Sequence, residues 1–442
     1  MSEVESETVQ ETSDTSTKAN PPKASLRSNF SWILGGNLVS EGVKACVLIL
    51  LVKFGSAAIQ GRFILFLSIV TPVSIFLTLG LRALFLTDAE EKYHFADYLR
   101  LRILSCFAIV VVSFLIGLSL TLSGKYNCEF CLGLSLFGLV KAAEFLSDLC
   151  YGVFQKKEIM KIIGLSRAFR AAILFPASFL ALWLGGGLTG LLVTWVFIYA
   201  GIALLYDFPR AKAFYSIEKT FELKNILELV RQAIPLIFTT VFLTLNANVS
   251  QYVIAAYCSE KEIGYFGSIN YSLVAFSLIF VAMGNALLPR MIQCYQNAPR
   301  SIWKLIGKGS VVVLVMAGLG FGTSYFLGEF VLELLFSAEH AKHVNVLWFL
   351  TATSAIIGYS SLVGYAATAC RAFTPSAFMW GLVVGVTFVS GVFFIPEYGI
   401  LGAAYANIAS YVVSSILMTL IVVIYVAKRT KELANNPAEN PA

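Results

Sequence analysis

Five ionisable side chains lie in the middle of long apolar stretches, where charge is costly. Glu41 and Lys44 are three positions apart, and Lys141, Glu144 and Asp148 are three and four positions apart. These spacings place each set on one face of a helix. At the centre of a membrane-spanning helix each charge would cost about 2.5–3.5 kcal/mol on insertion scales. The five groups must therefore pair with one another or face water.

Two interpretations of these charges stay open at the level of the sequence. The first is that they form structural ion pairs within and between packed helices. The second is that they line a hydrated central cavity with cationic and anionic stations. The candidate pairs are Glu41–Lys44, Lys141–Glu144 and Asp148–Arg170.

The two parts of the chain differ in the polar groups that they place at this depth. The first part adds two arginines, Arg167 and Arg170, at a depth similar to that of Asp148. The second part has no deep charge and offers amides instead, of which Asn246 and Asn248 are candidates for lining the cavity.

The composition shows which elements must position these residues. Of the 442 residues, 58% are hydrophobic and 13% are charged, and the mean hydropathy is +0.78. An ordinary soluble domain is about 25% charged. These proportions exclude a soluble enzyme, a nucleic-acid-binding domain and a disordered scaffold.

Twelve apolar blocks are long enough to cross a bilayer as helices, since about 20 residues span the hydrocarbon core. Barrel strands are excluded because they alternate polar and apolar residues, whereas 412–426 does not. The blocks are 30–53, 62–82, 103–123, 132–154, 163–184, 188–207, 232–256, 265–289, 305–328, 345–369, 376–395 and 400–426.

Positive charge in the connecting segments predicts the orientation in the membrane. Of 32 Lys and Arg residues, 25 lie in segments on the side of the N-terminus and 5 lie on the opposite side. Both termini are therefore predicted to be cytoplasmic, and the net charge of +6 needs no nucleic-acid partner.

Twelve spans divide into two six-helix halves of the same orientation, and glycine spacing supports a duplication. Gly61 and Gly264 are 203 positions apart, and three further glycine pairs share an offset of 212 positions. Those pairs are Gly152–Gly364, Gly187–Gly399 and Gly190–Gly402. The predicted units are a disordered tail 1–28, a first half 29–207, a cytoplasmic linker 208–231, a second half 232–427 and a tail 428–442.

Three local motifs carry a family resemblance that covers about 30–427. They are Trp32-x-x-Gly35-Gly36-Asn37, then Lys53-Phe54-Gly55 leading to Gly61-x-Phe63, and Glu144-x-x-x-Asp148-x-x-Tyr151-Gly152-x-x-Gln155-x-x-x-x-Met160. With the twelve spans in two halves, the chain resembles the polysaccharide and O-antigen flippases. These belong to a superfamily that also contains the multidrug and toxin extruders. The implied fold is an all-α polytopic membrane protein with a central cavity.

The resemblance implies a flippase in the bacterial inner membrane that moves a polyprenyl-pyrophosphate-linked oligosaccharide to the outer leaflet by alternating access. Its partners would be that lipid, the bilayer, H⁺ or Na⁺ as coupling ion, and a polymerase of the same pathway. Cationic candidates for the pyrophosphate are Lys44, Lys141, Arg167 and Arg170. Coupling candidates are Glu41, Glu144 and Asp148, since burial and nearby cations shift a carboxylate's protonation in opposite directions.

Two other functions are weighed against this one. A cation-coupled multidrug antiporter would use the same carboxylates as proton carriers, and a membrane-embedded polymerase or transferase would need a larger outer loop than any present. We predict no enzymatic activity, no cofactor and no metal site. His340 and His343 lack a third ligand nearby and are expected to be solvated loop residues.

Overall fold

The chain folds into long helices separated by short turns. The structure is a computed structural model that describes residues 26–88, 92–215 and 223–435. Its long helices are α1 (Leu26–Lys53), α2 (Ala57–Leu77), α3 (Phe95–Leu122), α4 (Cys128–Lys156), α5 (Met160–Trp183), α6 (Gly187–Ile202), α7 (Leu223–Tyr257), α8 (Glu260–Asn297), α9 (Ile302–Leu335), α10 (Val344–Ala369), α11 (Phe373–Tyr398) and α12 (Ile400–Asn435). Short helices cover Leu81–Thr87, Phe208–Lys212 and Ala338–Ala341, and a π-helical turn covers Ala203–Asp207.

The all-α membrane fold is confirmed. Within the described ranges, eleven helices are long and apolar enough to cross a membrane, and those ranges contain no strand. The remaining long helix is α7, with 35 residues. The count of twelve spans is consistent with this architecture and stays a prediction.

Serine caps move two helix starts away from their predicted positions. The Ser56 hydroxyl accepts a hydrogen bond from the backbone N–H of Ile59, so α2 begins at residue 57 rather than 62. Ser259 and Glu262 form a capping box, so α8 begins at residue 260 rather than 265. These first turns contain charged or polar residues that hydropathy leaves out, yet a capped turn is stable because its free N–H groups are satisfied.

The two halves pack in the same way. In the first half α1 lies along α5, α3 along α4, and α4 along α6. The corresponding neighbours in the second half are α7 with α11, α9 with α10, and α10 with α12. Gly187 is the first residue of α6 and Gly399 directly precedes α12, and their φ angles are 56° and 58°. The chain therefore turns into the last helix of each half at matched glycines, as the repeat at offset 212 predicts.

A close crossing of α2 and α8 joins the halves. A Cβ atom on Gly61 would lie 1.9 Å from the carbonyl oxygen of Glu260, and one on Gly264 would lie 2.3 Å from the carbonyl oxygen of Ala57. Ala57 and Glu260 are also 203 positions apart, so the contact is reciprocal. The glycines predicted to be repeat equivalents meet each other directly.

Several predicted boundaries fall at or beyond the described residues. Most of the predicted disordered tail, residues 1–25, lies outside them, as do 216–222 and 436–442. Of the predicted linker, Phe208–Lys212 is helical and α7 begins at Leu223. The last helix continues to Asn435, past the predicted end of the second half at residue 427.

Candidate functional site

A cavity of about 180 Å³ lies between the two halves. Helices α1, α2, α4 and α6 supply its wall on the first half, and α7 and α8 supply the opposite wall. Among the described residues that line it, the charged ones are Lys44, Lys141 and Glu144, all on the first half.

Four charges form a continuous chain along the first wall. Lys44 Nζ lies 2.8 Å from Glu41 and 4.0 Å from Glu144, whose other oxygen lies 2.8 Å from Lys141 Nζ. The Tyr271 hydroxyl of α8 donates to Glu41 at 3.1 Å. Two of the predicted ion pairs are thus present and are joined into one network, called here the charge chain (Glu41, Lys44, Lys141, Glu144). Lys44, Lys141 and Glu144 are paired and line the cavity, whereas Glu41 lines the neighbouring groove.

The opposite wall carries three amides, Asn248, Gln251 and Asn270, called here the amide wall. Gln251 is 6% exposed, and its Oε1 has no hydrogen-bond partner among the described residues. The Asn248 side-chain nitrogen donates to the Thr244 carbonyl at 2.7 Å. The amide wall is uncharged, and its amides can both donate and accept hydrogen bonds.

Asn246, predicted to line the cavity, does not line it. Its side-chain oxygen accepts hydrogen bonds from the hydroxyls of Thr387 in α11 and Ser410 in α12. It is 3% exposed and lies two positions from Asn248, which places the two amides on different faces of α7. Asn246 holds the second half together.

The predicted Asp148–Arg170 pair is wrong. Asp148 lies 2.8 Å from Arg82 and 3.8 Å from Arg102, and Arg170 lies 3.6 Å from Asp207. Arg82 was counted as a connecting-segment cation, but its short helix begins after a left-handed turn at Gly80 and packs against α4. Arg82 and Asp148 lie on different helices, so no spacing within one helix could predict that they pair.

Neither candidate arginine lines the cavity. The Arg167 guanidinium donates to Asn37 and lies over the Tyr151 ring at 5.3 Å. The Arg170 guanidinium is buried and lies 4.6 Å from the centre of the Tyr199 ring, which does line the cavity. The Tyr199 ring therefore lies between Arg170 and the cavity. Tyr199 and the neighbouring Trp195 were missed, because aromatic residues in an apolar helix give no distinct signal.

Polar contacts between the halves surround the glycine crossing, at what is called here the closed end. Arg62 of α2 lies 2.8 Å from Glu260 of α8 and 3.8 Å from Glu129 of α4. His340 contacts the Gln60 side chain at 3.3 Å. Because the Arg62–Glu260 and Gln60–His340 contacts link opposite halves, separating the halves here must break both of them.

His340 is fully buried, so the expectation that it is solvated is wrong. Its ring stacks on Phe336, meets Tyr265 edge-on and pairs with the Ser337 hydroxyl at 2.8 Å. Burial lowers the pKa of His340 to about 4. The ring is therefore neutral at physiological pH while the closed end is intact.

An apolar groove of about 370 Å³ runs beside the cavity, between α1 and α8 and against α9. Leu48, Tyr271 and Val274 line both the groove and the cavity. A cavity with three charged side chains in its lining thus shares a border with a groove whose one charged residue, among the described residues that line it, is Glu41.

The fold of the chain is shared with solved membrane proteins. The lipid II flippase MurJ in an inward closed conformation superimposes with a TM-score of 0.70 at 14% identity, over 94% of this chain and 92% of that one. An inward-facing multidrug resistance transporter of the MATE family gives 0.68 at 13% identity, over 90% and 99%. At these identities the likeness establishes the fold.

The sequence places the chain within a family. The model of the family described as "Polysaccharide biosynthesis protein" matches residues 26–295, so the chain belongs to that family. The capsular polysaccharide biosynthesis protein CapF of Staphylococcus aureus is 23% identical over 387 residues, which cover 85% of this chain and 94% of that protein.

Proposed function

We propose that the protein is a flippase that moves a polyprenyl-pyrophosphate-linked oligosaccharide from the cytoplasmic to the outer leaflet. The observation that carries this proposal is a cavity with Lys44, Lys141 and Glu144 in its lining that borders an apolar groove. Sugars and pyrophosphate cannot cross hydrocarbon unaided, whereas a polyprenyl tail is stable in it. The border at Tyr271 lets one ligand occupy both environments.

In this proposal the pyrophosphate binds Lys44 and Lys141. Both lysines are paired with carboxylates, at 2.8 Å from Glu41 and Glu144 respectively. An arriving phosphate competes with those carboxylates for the same cations. No bond in the ligand is broken, so the activity is transport and not catalysis.

Coupling to an ion gradient is proposed to act at Glu144. Its two cationic neighbours stabilise the carboxylate, and their engagement with phosphate removes that stabilisation. Glu144 then takes up a proton, which is released after the ligand leaves. Glu41 and Asp148 are the other proposed coupling carboxylates, although Asp148 is held by Arg82 at 2.8 Å.

Alternating access is proposed to separate the halves at the closed end while they approach at the other. We place the protein in a bacterial plasma membrane with both termini cytoplasmic, a polymerase of the same pathway being its partner. A thiol reagent added outside should label Lys125→Cys and Lys342→Cys but not Lys212→Cys, in a Cys128→Ser background because Cys128 is exposed. Labelling of Lys212→Cys alone would reverse the topology.

The central test is transport of a fluorescent lipid-linked oligosaccharide, such as an O-antigen unit, in reconstituted vesicles. The wild type should expose the label on the opposite leaflet, and Lys141→Met/Glu144→Gln should lose at least tenfold in rate. The matched control is Arg429→Gln/Glu432→Gln, which removes a pair of the same spacing from a more exposed part of α12. Equal rates in all three proteins would refute the proposal.

The second candidate is a cation-coupled multidrug antiporter. The carboxylates of the charge chain and the MATE-like fold favour it. Proton-driven movement of an organic cation by the same vesicles, without movement of the lipid-linked sugar, would support it instead.

A further inference from the structure

We propose that the acidic segment 3–14, which precedes α1 in the sequence, docks on a basic surface of the first half. That surface consists of four exposed cations, Lys157, Lys161, Arg210 and Lys212, and is called here the basic surface. The contact lies within the chain and is independent of the ligand that the cavity takes.

The cations of the basic surface meet aromatic rings rather than carboxylates. Lys157 Nζ lies 5.3 Å from the centre of the Tyr215 ring, and Lys161 Nζ lies 5.9 Å from that of Trp32. Arg210 lies over another tyrosine ring at 3.6 Å. Among the described residues, no carboxylate forms an ion pair with any of the four cations.

The segments that carry these cations contain little negative charge. Residues 156–161 and 208–215, which the structure describes in full, contain five Lys and Arg residues and one acidic residue, Glu158. The difference is four positive charges on one exposed face. A surface with such an excess attracts an anionic partner.

A segment of matching charge lies in the same chain. Residues 1–17 include no Lys or Arg, and their acidic residues are Glu3, Glu5, Glu7, Glu11 and Asp14. These residues lie outside the described structure. An anionic membrane surface repels carboxylates, so on this face their favoured neighbours are cations of the protein.

The attachment of the acidic segment brings it to this surface. Trp32, whose ring lies beside Lys161, is six positions after the start of α1 at Leu26, which is about 9 Å along the helix. Asp14 is 12 positions before Leu26, and 12 residues reach at most about 40 Å. A short connection gives an effective concentration in the millimolar range, so several weak ion pairs suffice for docking.

Exposed lysines of the second half provide an internal comparison. Lys304 and Lys308 lie near the start of α9, and Lys428 and Lys431 lie near the end of α12. The first helix packs along α5 of its own half, so its preceding segment is attached beside the basic surface and not beside these lysines.

Zero-length cross-linking tests the contact in the full wild-type chain. A carbodiimide joins a carboxylate to a lysine amine only where the two groups touch, and mass spectrometry then identifies the joined residues. In nanodiscs of neutral lipid at low salt, the acidic segment should be joined to Lys157, Lys161 and Lys212 severalfold more often than to the four lysines of the second half. Salt at about 1 M should abolish these links, because it screens exposed charges.

A pair of double variants tests whether charge holds the segment in place. Lys157→Gln/Lys161→Gln should lower the yield of links to Lys212 about threefold, the order expected for the loss of two exposed ion pairs. Lys304→Gln/Lys308→Gln is the matched control and should leave that yield unchanged. The melting temperature of each variant should equal that of the wild type, since all four lysines are exposed.

Three results would overturn the docking of the acidic segment. The first is equal linking to both halves or no linking at all, and the second is a yield that high salt does not change. The third is linking in neutral nanodiscs that disappears in nanodiscs of anionic lipid, because the basic surface would then bind lipid headgroups. Transport in vesicles is measured separately, so none of these results decides the proposed function.

Discussion

The two halves share one skeleton but differ in how they satisfy polar groups inside it. In the first half, charges are paired: three residues of the charge chain face the cavity, and Arg170 pairs with Asp207 in the interior. In the second half, the interior network of Asn246, Thr387 and Ser410 is neutral. Equivalent helix packing is therefore compatible with charged pairs in one half and neutral polar groups in the other. The cavity accordingly has one charged wall and one uncharged wall.

The largest effect is expected where a buried charge loses its partner. Arg170→Gln leaves Asp207, which is fully buried, without its cation. Removing one partner of a buried pair costs about 3–5 kcal/mol, whereas replacing both is often neutral. Thermal unfolding in detergent should show a large loss for Arg170→Gln and recovery of most of it in Arg170→Gln/Asp207→Asn.

The neutral network of the second half provides the comparison for Arg170→Gln in the same unfolding measurement. Thr387→Val removes one of two hydroxyl donors to Asn246 and should cost only about 1 kcal/mol. Similar losses for Thr387→Val and Arg170→Gln would show that the contrast between the halves has no energetic meaning.

The next effect concerns the feature that the halves share. Gly61→Ala and Gly264→Ala each place a methyl group against backbone oxygen, so the helices must move apart. Overpacking of this kind costs about 1–3 kcal/mol, and it destabilises the closed end. Spin-label distances between Ser123→Cys and Lys342→Cys should lengthen equally in both variants.

Gly322→Ala is the control, since a methyl group there meets nothing within 4 Å. Because the crossing is reciprocal, a strong effect at Gly61 with none at Gly264 would contradict the repeat symmetry.

Acidification should open the closed end by protonating His340, a residue of the second half that contacts Gln60 of the first half. Burial lowers the pKa of His340 from 6.5 to about 4, and opening would return it towards its ordinary value. The open form then binds more protons, so the closed form is fully favoured above about pH 6.5 and loses stability as the pH falls towards 4. The loss is about 2 kcal/mol at pH 5 by linkage.

The same spin-label pair measures this response. The distance should increase between pH 6.5 and 5 in the wild type and lose most of its pH dependence in His340→Gln. Burial also lowers the pKa of His343, so His343→Gln is measured beside it and should keep the larger part of the response. Unchanged titration in His340→Gln would assign the opening to another group.

The smallest expected change is in coupling. Glu144→Gln keeps the shape of the side chain but cannot exchange a proton, so flipping should lose its several-fold stimulation by an imposed pH gradient while slower downhill flipping continues. Wild-type stimulation in this variant would make Glu144 a structural partner of Lys141 and move coupling to Asp148 or Glu41.

Apolar length and helical spacing predicted the fold class and two of the three proposed ion pairs, because both are local properties. Glu41–Lys44 and Lys141–Glu144 lie within single helices and follow from spacing alone. The partners of Asp148 and Arg170 come from other segments, so no periodicity encodes them.

Side-chain direction limited the prediction of the cavity in the same way. Asn246 and Asn248 are both amides in α7, and only packing against α11 and α12 decides which one faces the cavity. Burial of His340 likewise depends on Gln60 of the opposite half. Such choices are made by tertiary contacts, which the order of residues along one helix does not determine.

The reciprocal glycine crossing has the geometry of an isologous interface, in which the same patch meets itself across a two-fold axis. A six-helix chain with one such glycine could build this contact by pairing with a second copy of itself. In that homodimer every substitution would act twice. In a single chain that contains both halves, each half can be substituted independently. Gln60 contacts His340, while the equivalent residue of the second half, 203 positions later, is the apolar Ile263. One polypeptide thereby keeps the symmetric glycine crossing and gains beside it an asymmetric contact, Gln60–His340, that we expect to respond to protons.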